Sequence, residues 1–493
     1  MRKSFQNTLP EIFVSTTESS RTIHDLVKAG RARKIGPRLY TRNMQDSDVD
    51  IVGRNNWLVI KGLFPEHVIS HRTAIEMKPT AQKTIFLTGA YPRALALPGL
   101  RVRVLPGPGP LDGDTIYLQD LWLASRPRAY LECLKTKKVR GTESPAISEE
   151  QIEAKLEELL RLYGAEAANR FRDQARKLAP LMDAQQAFER LNSIVGTLMG
   201  THHAALHSPA ARAFAAGEPY DPRRLKLFQV LKDELLLWNT IPQPDQTVAG
   251  VAFSNLAFVD AYFSNFIEGT EFRIDEAVDI VFHGYIPNAR PADAHDVLGT
   301  FQVVSSLAEM GQSATTLDFP AFITKLQRIH TAILSGRGEK NPGQFKEKEN
   351  RAGATEFVLP ELVQGTLRLG LELLKGFAEP FQAAVFVMFL IAEVHPFDDG
   401  NGRLARAMAN AELIAGSQRR IFIPNVYRED YLSALRAMTH NQNPKPLLRM
   451  LYRAQEFSAR IAFTDLKAAL VILENCNAFS MDTTLTLRMP GSS

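Results

Sequence analysis

One twelve-residue string, HPFDDGNGRLAR at residues 395–406, constrains this chain more than any other feature, and we call it the signature segment. It opens with a histidine, which titrates near neutral pH. Asp399 is a hard oxygen ligand of the kind that Mg²⁺ prefers. The turn Gly400-Asn401-Gly402 can present successive backbone N–H groups to an anion. Residue types in this order predict phosphate chemistry, and no GxxxxGK[ST] loop occurs in the chain.

Two arginines complete the signature segment. Arg403 and Arg406 lie three residues apart, so both project from one face of a helix that begins near Gly402. The N-terminus of a helix favours phosphate oxygens, and the planar guanidinium group can bind them with two hydrogen bonds. A solvated helix face would explain the arginines alone, but not the complete string. The combination is typical of a site for a nucleoside triphosphate.

The signature segment matches HxFx(D/E)GNGRxxR at every specified position, so the chain resembles the Fic domain proteins. The resemblance implies transfer of AMP from ATP to a Ser, Thr or Tyr hydroxyl of a protein, with Mg²⁺ as cofactor. It implies that His395 deprotonates the hydroxyl and that Asp399 holds Mg²⁺. The implied phosphate-binding residues are Gly400, Asn401, Gly402, Arg403 (β-phosphate) and Arg406 (γ-phosphate). A Fic enzyme that transfers UMP, phosphate or phosphocholine is the nearest alternative.

Residues before the signature segment resemble the part of Fic proteins that positions the target. Residues 341–353 are similar to the family's P-G-x-F-R segment, although Lys346 stands where relatives carry arginine. The stretch 353–362 then predicts a β-hairpin flap, because β-forming residues are stopped there by Pro360. Such a flap pairs with an extended target peptide. The residues expected to dock the target are Thr355, Glu356, Phe357 and Val358.

A second stretch, residues 263–272, resembles the (S/T)xxxE(G/N) inhibitory helix of the Fic family. Ser264 and Glu268 share a face in a helix, and Gly269 is a natural helix stop. The resemblance implies that Glu268 pairs with Arg406 in a desolvated pocket and keeps the γ-phosphate from seating. Breaking such a buried pair costs roughly 3–5 kcal/mol. An ordinary surface glutamate near a helix end is the alternative interpretation.

The N-terminal region differs in character from the rest. Residues 19–43 predict a short helix at 20–29 and a basic two-stranded ribbon, and they resemble the recognition helix and wing of AbiEi-type antitoxins. That resemblance implies a winged-helix-like region that binds DNA, although the helices that should precede the recognition helix are shortened. A degenerate winged helix used for packing or protein recognition is the alternative. The residues expected to contact DNA are Arg31, Arg33, Lys34 and Arg38.

The expected fold class is multidomain, with an α+β winged-helix-like N-terminal region followed by a mostly α-helical Fic fold that carries a small β-hairpin flap. Helical periodicity begins near residue 150, and turn signals at 241–250 open the Fic domain. The predicted regions are winged-helix-like at 1–45, antitoxin-like α+β at 46–140, linker and helical at 141–240, Fic domain at 241–460 with its inhibitory helix near 255–269, and C-terminal helix and tail at 461–493.

Composition narrows the remaining possibilities. The 493 residues carry a net charge of only +4, so no global affinity for polyanions follows. No run reaches 18 apolar residues and no signal peptide is visible, so we expect a cytoplasmic protein that does not enter a membrane. The two cysteines, Cys133 and Cys476, form no metal or redox motif.

Several partners follow from these interpretations. We expect the chain to bind ATP and a hydroxyl-bearing protein target, which can be another copy of the chain or the chain itself. DNA bound by the N-terminal region and a homodimer are further candidate partners. The principal alternative to an enzyme is a DNA-binding, antitoxin-like regulator whose Fic half is locked. Salt-dependent DNA binding without nucleotide transfer would favour that regulator.

Overall fold

The computed structural model describes residues 9–118, 120–136, 143–245, 250–482 and 484–491. The chain divides into two compact units, residues 1–217 and 218–493. The start of the predicted winged-helix-like region (1–8), the start of the predicted linker (141–142) and part of the predicted turn (246–249) lie outside the described residues.

The first unit opens with a three-stranded antiparallel sheet. Its strands are β1 (Ile12–Val14), β2 (Arg33–Gly36) and β3 (Leu39–Thr41) in the order β1-β3-β2, with helix α1 (Ser20–Lys28) between β1 and β2 in the chain. Helix α1 buries Ile23 and Leu26 against Phe13 of the sheet. The short helix and basic ribbon predicted here are therefore present as local elements.

A mixed six-stranded sheet follows in the same unit. Its strands are β4 (Val68–Ile69), β5 (Thr84–Gly89), β6 (Arg93–Leu97), β7 (Leu100–Pro106), β8 (Thr115–Leu118) and β9 (Leu121–Leu123), in the order β6-β7-β5-β4-β9-β8. Strand β5 is buried along its whole length, antiparallel to β4 and parallel to β7. The accompanying helices are α2 (Asp48–Arg54), α3 (Asn56–Leu63), α4 (His71–Glu76) and α5 (Arg126–Lys135). Aliphatic side chains of α2 and α3 pack on β5 and β7 to form the core.

Three helices end the first unit: α6 (Glu149–Leu178), α7 (Gln185–Leu198) and α8 (Pro209–Ala215). Ser148 begins α6 with a capping box, in which its side chain and that of Gln151 each bind the other's backbone N–H. Gly164, with φ +74°, kinks α6. Apolar residues of α5, α6 and α7 share one core.

The second unit is mostly helical. Its helices are α9 (Pro222–Leu237), α10 (Gly250–Ile267), α11 (Ile274–His283), α12 (Pro291–Val304), α13 (Leu307–Met310), α14 (Phe319–Ile333), α15 (Val363–Leu374), α16 (Pro380–Val394), α17 (Asn401–Ala415), α18 (Arg428–Asn441), α19 (Lys445–Ala459) and α20 (Leu466–Asn475). A two-stranded hairpin, β10 (Arg351–Ala352) and β11 (Thr355–Glu356), interrupts the helices. A small hairpin inside a helical unit is what the sequence predicted for this half.

Helix α16 forms the centre of the second unit. Twelve of its 15 residues are buried, so neighbours surround it on every side, as an apolar run without a polar face predicts. Helix α9 contributes Leu227, Phe228 and Leu231 to the same core. The compact unit begins at residue 218, which lies before the predicted start of the Fic domain at 241.

No helix among the described residues is long and apolar enough to cross a membrane. Cys133 and Cys476 are free thiols, and both are buried.

Candidate active site

The signature segment joins the two buried helices α16 and α17. His395 takes a left-handed conformation, with φ 51° and ψ 59°, and this ends α16. Gly400, with φ 73°, precedes the first residue of α17 in a conformation that favours glycine. The buried Asn401 side chain accepts the Phe397 N–H at 3.0 Å and donates to the Phe397 carbonyl oxygen at 2.8 Å. Asn401 thus closes the loop with its side chain.

The imidazole of His395 is held at one nitrogen and on one face. Its Nδ1 lies 3.2 Å from the carbonyl oxygen of Ala392, so Nδ1 carries the proton and donates it. The ring of Phe357 stacks on the imidazole, with centroids 3.7 Å apart and planes inclined by 6°. Burial is the main cause that lowers the pKa of His395 to about 4. The ring is therefore neutral near pH 7, and Nε2 is left as a proton acceptor.

Asp399 lies on the more accessible side of the loop. Its side chain is 40% exposed. Its Oδ1 accepts the N–H of Gly400 at 2.6 Å, which orients the carboxylate. Mg²⁺ is usually bound in proteins by one or two carboxylates, with water and phosphate oxygens as the other ligands. An accessible carboxylate beside a loop that can bind phosphate is a suitable ligand for Mg²⁺.

The buried side chain of His330, on α14, also contacts this loop and was not predicted. Its Nε2 donates to the carbonyl oxygen of Asp399 at 2.9 Å, and its Nδ1 accepts the N–H of Gly343 at 2.8 Å. The ring stacks on Phe397, with centroids 3.8 Å apart. Burial lowers the pKa of His330 to about 4, in agreement with a neutral ring.

Arg406 contacts the end of helix α10. Its Nη2 lies 2.7 Å from Oε1 of Glu268. The same nitrogen donates to the carbonyl oxygen of Ser264 at 2.7 Å, and Nε donates to the Ser264 hydroxyl at 2.9 Å. The Arg406 side chain is 5% exposed, whereas that of Glu268 is 32% exposed. The pair expected in a desolvated pocket therefore joins a buried cation to a carboxylate that still meets solvent.

The Glu268 carboxylate lies over the start of α17. Helix α10 ends at Ile267, so Glu268 is the first residue beyond it, and Gly269, with φ +88°, turns the chain away. A Cβ atom on Gly402 would come within 2.1 Å of Glu268 Oε1 and within 3.1 Å of Arg406 Nη1. The missing side chain of Gly402 therefore provides the space that the carboxylate occupies. Because a helix N-terminus attracts anions, a phosphate oxygen is also expected there.

Arg403 has a buried partner that the sequence did not indicate. Its Nη1 lies 2.7 Å from Oδ2 of Asp296 on α12, and these side chains are 3% and 1% exposed. Asp296 also binds Nε of Arg337 at 2.7 Å, and Arg337 reaches Asp293 at 2.6 Å. Nothing in the local sequence around Asp296 points to residue 403, since only the packing of α12 near α17 brings them together. Arg403 is thus one member of a buried ion-pair network.

The hairpin flap begins earlier than predicted and is tied to neighbouring helices. It starts at Arg351, two residues before the predicted stretch, and its strands pair across a short turn. Oγ1 of Thr355 lies 2.9 Å from Nε2 of His440 on α18. The guanidinium group of Arg224, on α9, donates to the carbonyl oxygen of Glu356. Two of the predicted docking residues therefore already have partners within the second unit.

The other two predicted docking residues lie beyond the strand. Val358 is completely buried, so it anchors the flap in the core instead of offering a contact to a target. Phe357 covers His395, and Nζ of Lys346 lies 6.0 Å from the Phe357 ring centroid. Burial lowers the pKa of Lys346 to about 8. The charge of Lys346 also disfavours protonation of the nearby His395.

The residues predicted to contact DNA lie in the first unit and differ in their surroundings. Arg31, Lys34 and Arg38 are exposed. Arg33 is half-buried and pairs with Asp48, so it braces the ribbon instead of extending into solvent. The exposed basic surface is therefore smaller than the sequence predicted.

Comparisons with known proteins agree with the signature segment. Residues 322–413 match the Fic/DOC family. The chain is 24% identical over 214 residues to the protein adenylyltransferase Fic of Nematostella vectensis, which covers 42% of this chain and 48% of that protein. It is 22% identical over 207 residues to the protein adenylyltransferase fic-1 of Caenorhabditis elegans, which covers 41% of this chain and 40% of that protein. Each match thus spans less than half of the relative's own length.

A solved structure of a C. elegans Fic-1 fragment aligns over 67% of this chain and 90% of that one, with a TM-score of 0.37 and 17% identity. The family match runs from within α14 to within α17 and includes the hairpin flap and the signature segment. It does not extend to α10 or to the first unit. The chain contains a Fic domain that is homologous to the Fic protein adenylyltransferases.

Proposed function

We propose that this chain is a protein adenylyltransferase, which transfers AMP from ATP to a Ser, Thr or Tyr hydroxyl of a protein. The observation that carries the proposal is the arrangement at the start of α17. There His395 has a neutral imidazole with Nε2 unprotonated, and Asp399 and Arg403 lie on the same loop and helix end. Nucleotidyl transfer depends on such positioned groups and on charge stabilisation. Homology to proteins named adenylyltransferases supports AMP as the transferred group.

In the proposed reaction, Nε2 of His395 accepts the proton of the attacking hydroxyl. The hydroxyl oxygen bonds to the α-phosphorus while the bond to the pyrophosphate oxygen breaks. Proton removal by a positioned base contributes about 10²–10⁴-fold to such a rate. Arg403 and Arg406 stabilise the charge on the departing pyrophosphate. Among the described residues, Nε of Arg403 is buried without a hydrogen-bond partner, which leaves a donor for a phosphate oxygen.

Asp399 is the residue that would hold Mg²⁺ in this site. Its carboxylate is accessible, and the N–H of Gly400 fixes one of its oxygens at 2.6 Å. Held there, the ion would supply positive charge that offsets part of the charge of the phosphate oxygens.

The finer part of the proposal is that the resting protein is autoinhibited. Glu268 neutralises Arg406 and fills the space above Gly402, where a phosphate oxygen is expected to seat. Exposed ion pairs contribute about 0–1 kcal/mol, whereas removal of one partner from a buried pair costs about 3–5 kcal/mol. Glu268 is a third exposed, so its pair lies between these limits. We therefore expect a slow basal activity rather than none.

Label transfer from ATP tests both parts of the proposal. Wild type, Glu268→Gly and Glu268→Gly/His395→Ala are incubated with Mg²⁺ and ATP labelled at the α- or the γ-phosphate, with a cell lysate and alone. We expect strong α-label transfer by Glu268→Gly, weak transfer by wild type and none by the double variant. Transfer of the γ-label would indicate that phosphate is the transferred group, and transfer of label from UTP or CDP-choline would indicate another donor. No transfer from any donor by any variant would contradict the proposal that this chain is an enzyme.

Two control variants separate inhibition from general disturbance of the site. Glu271→Gly changes an exposed glutamate three residues along the chain and should keep the wild-type rate. Ser264→Ala removes one hydrogen bond to Arg406 but keeps Glu268, so it should stay close to wild type as well. Activation by Glu271→Gly equal to that by Glu268→Gly would contradict autoinhibition by Glu268.

Nucleic-acid binding by the first unit is a second candidate function. Lys28 of α1 and the ribbon residues Arg31, Lys34 and Arg38 form an exposed basic segment in a chain whose net charge is small. Binding through phosphate contacts weakens steeply with salt, so the affinity for duplex DNA should fall between about 50 and 200 mM salt. Lys34→Ala/Arg38→Ala should weaken binding, whereas Arg33→Ala should act mainly on stability. Fluorescence anisotropy with the full chain measures this, and no binding at low salt would remove this candidate.

A further inference from the structure

We infer that His330 is a positioning residue that sets the orientation of Asp399 and of the loop that carries it. The inference rests on the proposed function, in which Asp399 is the Mg²⁺ ligand. His330 lies 69 residues before Asp399 in the chain, on another helix. It is completely buried, so it acts through the loop rather than on a ligand.

The hydrogen bonds of His330 require a single protonation state. The N–H of Gly343 points at Nδ1 over 2.8 Å, so Nδ1 carries no proton. Nε2 faces the carbonyl oxygen of Asp399 at 2.9 Å, so Nε2 carries the proton and donates it. Only one neutral tautomer satisfies both partners. The ring therefore links the segment around residue 343 to the signature segment with two directional bonds.

Packing fixes the ring against the backbone of the loop. The imidazole and the ring of Phe397 stack with centroids 3.8 Å apart and planes inclined by 9°. A Cβ atom on Gly400 would lie 3.3 Å from Nε2 of His330 and 3.0 Å from Cδ1 of Leu334. The backbone between Phe397 and Gly400 thus lies directly against His330, with little space for a side chain.

These contacts reach the Asp399 carboxylate in one further step. The carbonyl oxygen that His330 binds belongs to the peptide whose N–H is that of Gly400, and this N–H holds Oδ1 of Asp399 at 2.6 Å. A peptide group is planar, so fixing its oxygen also fixes its N–H. Loss of an outer residue that orients a metal ligand typically costs about 10–100-fold in metal affinity or activity. His330 therefore determines where the Asp399 carboxylate points.

Binding measurements test the inference without depending on transfer. The background is the full chain with Glu268→Gly/His395→Ala, which lacks the inhibitory carboxylate and the base and therefore binds ATP without turnover. Three substitutions are compared in it. His330→Asn keeps an acceptor near the Nδ1 position, His330→Gln keeps a donor near the Nε2 position, and His330→Phe keeps only the ring. The readout is the Mg²⁺ concentration for half-maximal ATP binding by calorimetry, with the unfolding midpoint measured without ligand.

The two amide variants should differ in the Mg²⁺ concentration that they need. His330→Gln should stay within about threefold of the background, whereas His330→Asn and His330→Phe should need about 10–100-fold more Mg²⁺. ATP binding in EDTA should change little, because the arginines are untouched. Equal losses in the Asn and Gln variants that follow their unfolding midpoints would overturn the inference in favour of a purely structural role. Absence of Mg²⁺-dependent ATP binding by the background itself would overturn the proposed function, and the inference with it.

Discussion

The two arginines of the signature segment differ in the burial of their carboxylate partners. Arg403 and Asp296 are both almost fully buried, whereas Arg406 is buried but Glu268 is a third exposed. A buried pair is costly to break by removing one partner, since the other charge stays without compensation. Arg406 keeps its two bonds to Ser264 when Glu268 is removed. We therefore expect the loss of Asp296 to destabilise the fold more than the loss of Glu268.

This difference is measurable as the free energy of unfolding. We expect Asp296→Ala to lower it by about 3–5 kcal/mol, because Arg403 and Arg337 both lose a buried partner. Glu268→Ala should lower it by less, by about 1–3 kcal/mol, because one member of its pair still meets solvent. Urea denaturation followed by circular dichroism measures both variants. Equal losses would show that exposure does not separate the two pairs.

The pH dependence of transfer is also expected to depend on a single residue, His395. Burial lowers the pKa of His395 to about 4, from the ordinary value of 6.5. Between these two values the unfolded chain binds a proton that the folded chain excludes. The free energy of unfolding therefore decreases as pH falls from 6.5 towards 4. We expect label transfer by Glu268→Gly to keep its rate from about pH 7 to about pH 5, since the base stays neutral there. A half-maximal rate at pH 6.5 would instead indicate an exposed, ordinary imidazole.

Among the structural elements, the flap has the most direct contact with the proposed base. Phe357→Ala removes the ring that stacks on His395. Aromatic pairs contribute about 0.5–1.5 kcal/mol, so we expect transfer by the Glu268→Gly protein to fall by a factor of about 2–10. ATP affinity should not change, because Phe357 has no part in the proposed phosphate site. Steady-state rates and calorimetry separate these effects, and a parallel loss of ATP affinity would place Phe357 on the nucleotide instead.

The elements show how far local sequence determines this site. The turn between α16 and α17 and the end of α10 follow from glycine signals, so Gly400 and Gly269 were predictable. The bounds of the hairpin were less predictable, because strands of two residues carry almost no periodicity. The burial of Val358 was not predictable either, since it depends on the neighbouring helices.

Long-range partners could not be predicted from the sequence. Asp296 and His330 both meet the signature segment through helices that are distant in the chain. Each is a common residue type on an ordinary amphipathic helix, and neither belongs to a local motif. Only the packing of α12 and α14 near α17 selects them. The signature segment therefore predicts the residues that face the nucleotide better than the residues that hold them in place.

At the scale of the whole molecule, the cores of the second unit lie entirely within residues 218–493. The predicted boundary at 241 followed turn signals, but α9 lies before that turn and packs its apolar face into the core. Local sequence marks where helices end, and it does not mark which core they join. Turn signals therefore predict a start at 241, whereas the packing of α9 places the start of the compact unit at 218.

Because its cores are complete, we expect residues 218–493 to fold when expressed alone. A fragment that starts at 218 should unfold cooperatively and, with Glu268→Gly, bind ATP and Mg²⁺ as the full chain does. A fragment that starts at 241 should be strongly destabilised, because it loses Leu227, Phe228 and Leu231. Thermal unfolding of both fragments measures this. Equal stability of the two would contradict the structural role of α9.

The burial of α10 also determines which residues can release the proposed inhibition. Fourteen of its 18 residues are buried, so the helix cannot leave its place without exposing much of the core. Each large apolar side chain would lose about 1.5–3 kcal/mol on exposure, and a whole domain is stable by only about 5–15 kcal/mol. Release of Arg406 therefore falls to residues 268–270, where Gly269 already has φ +88°. Such turns rearrange in about nanoseconds to microseconds, so an activating signal would shift a rapid local equilibrium and would not wait for a slow undocking of the helix.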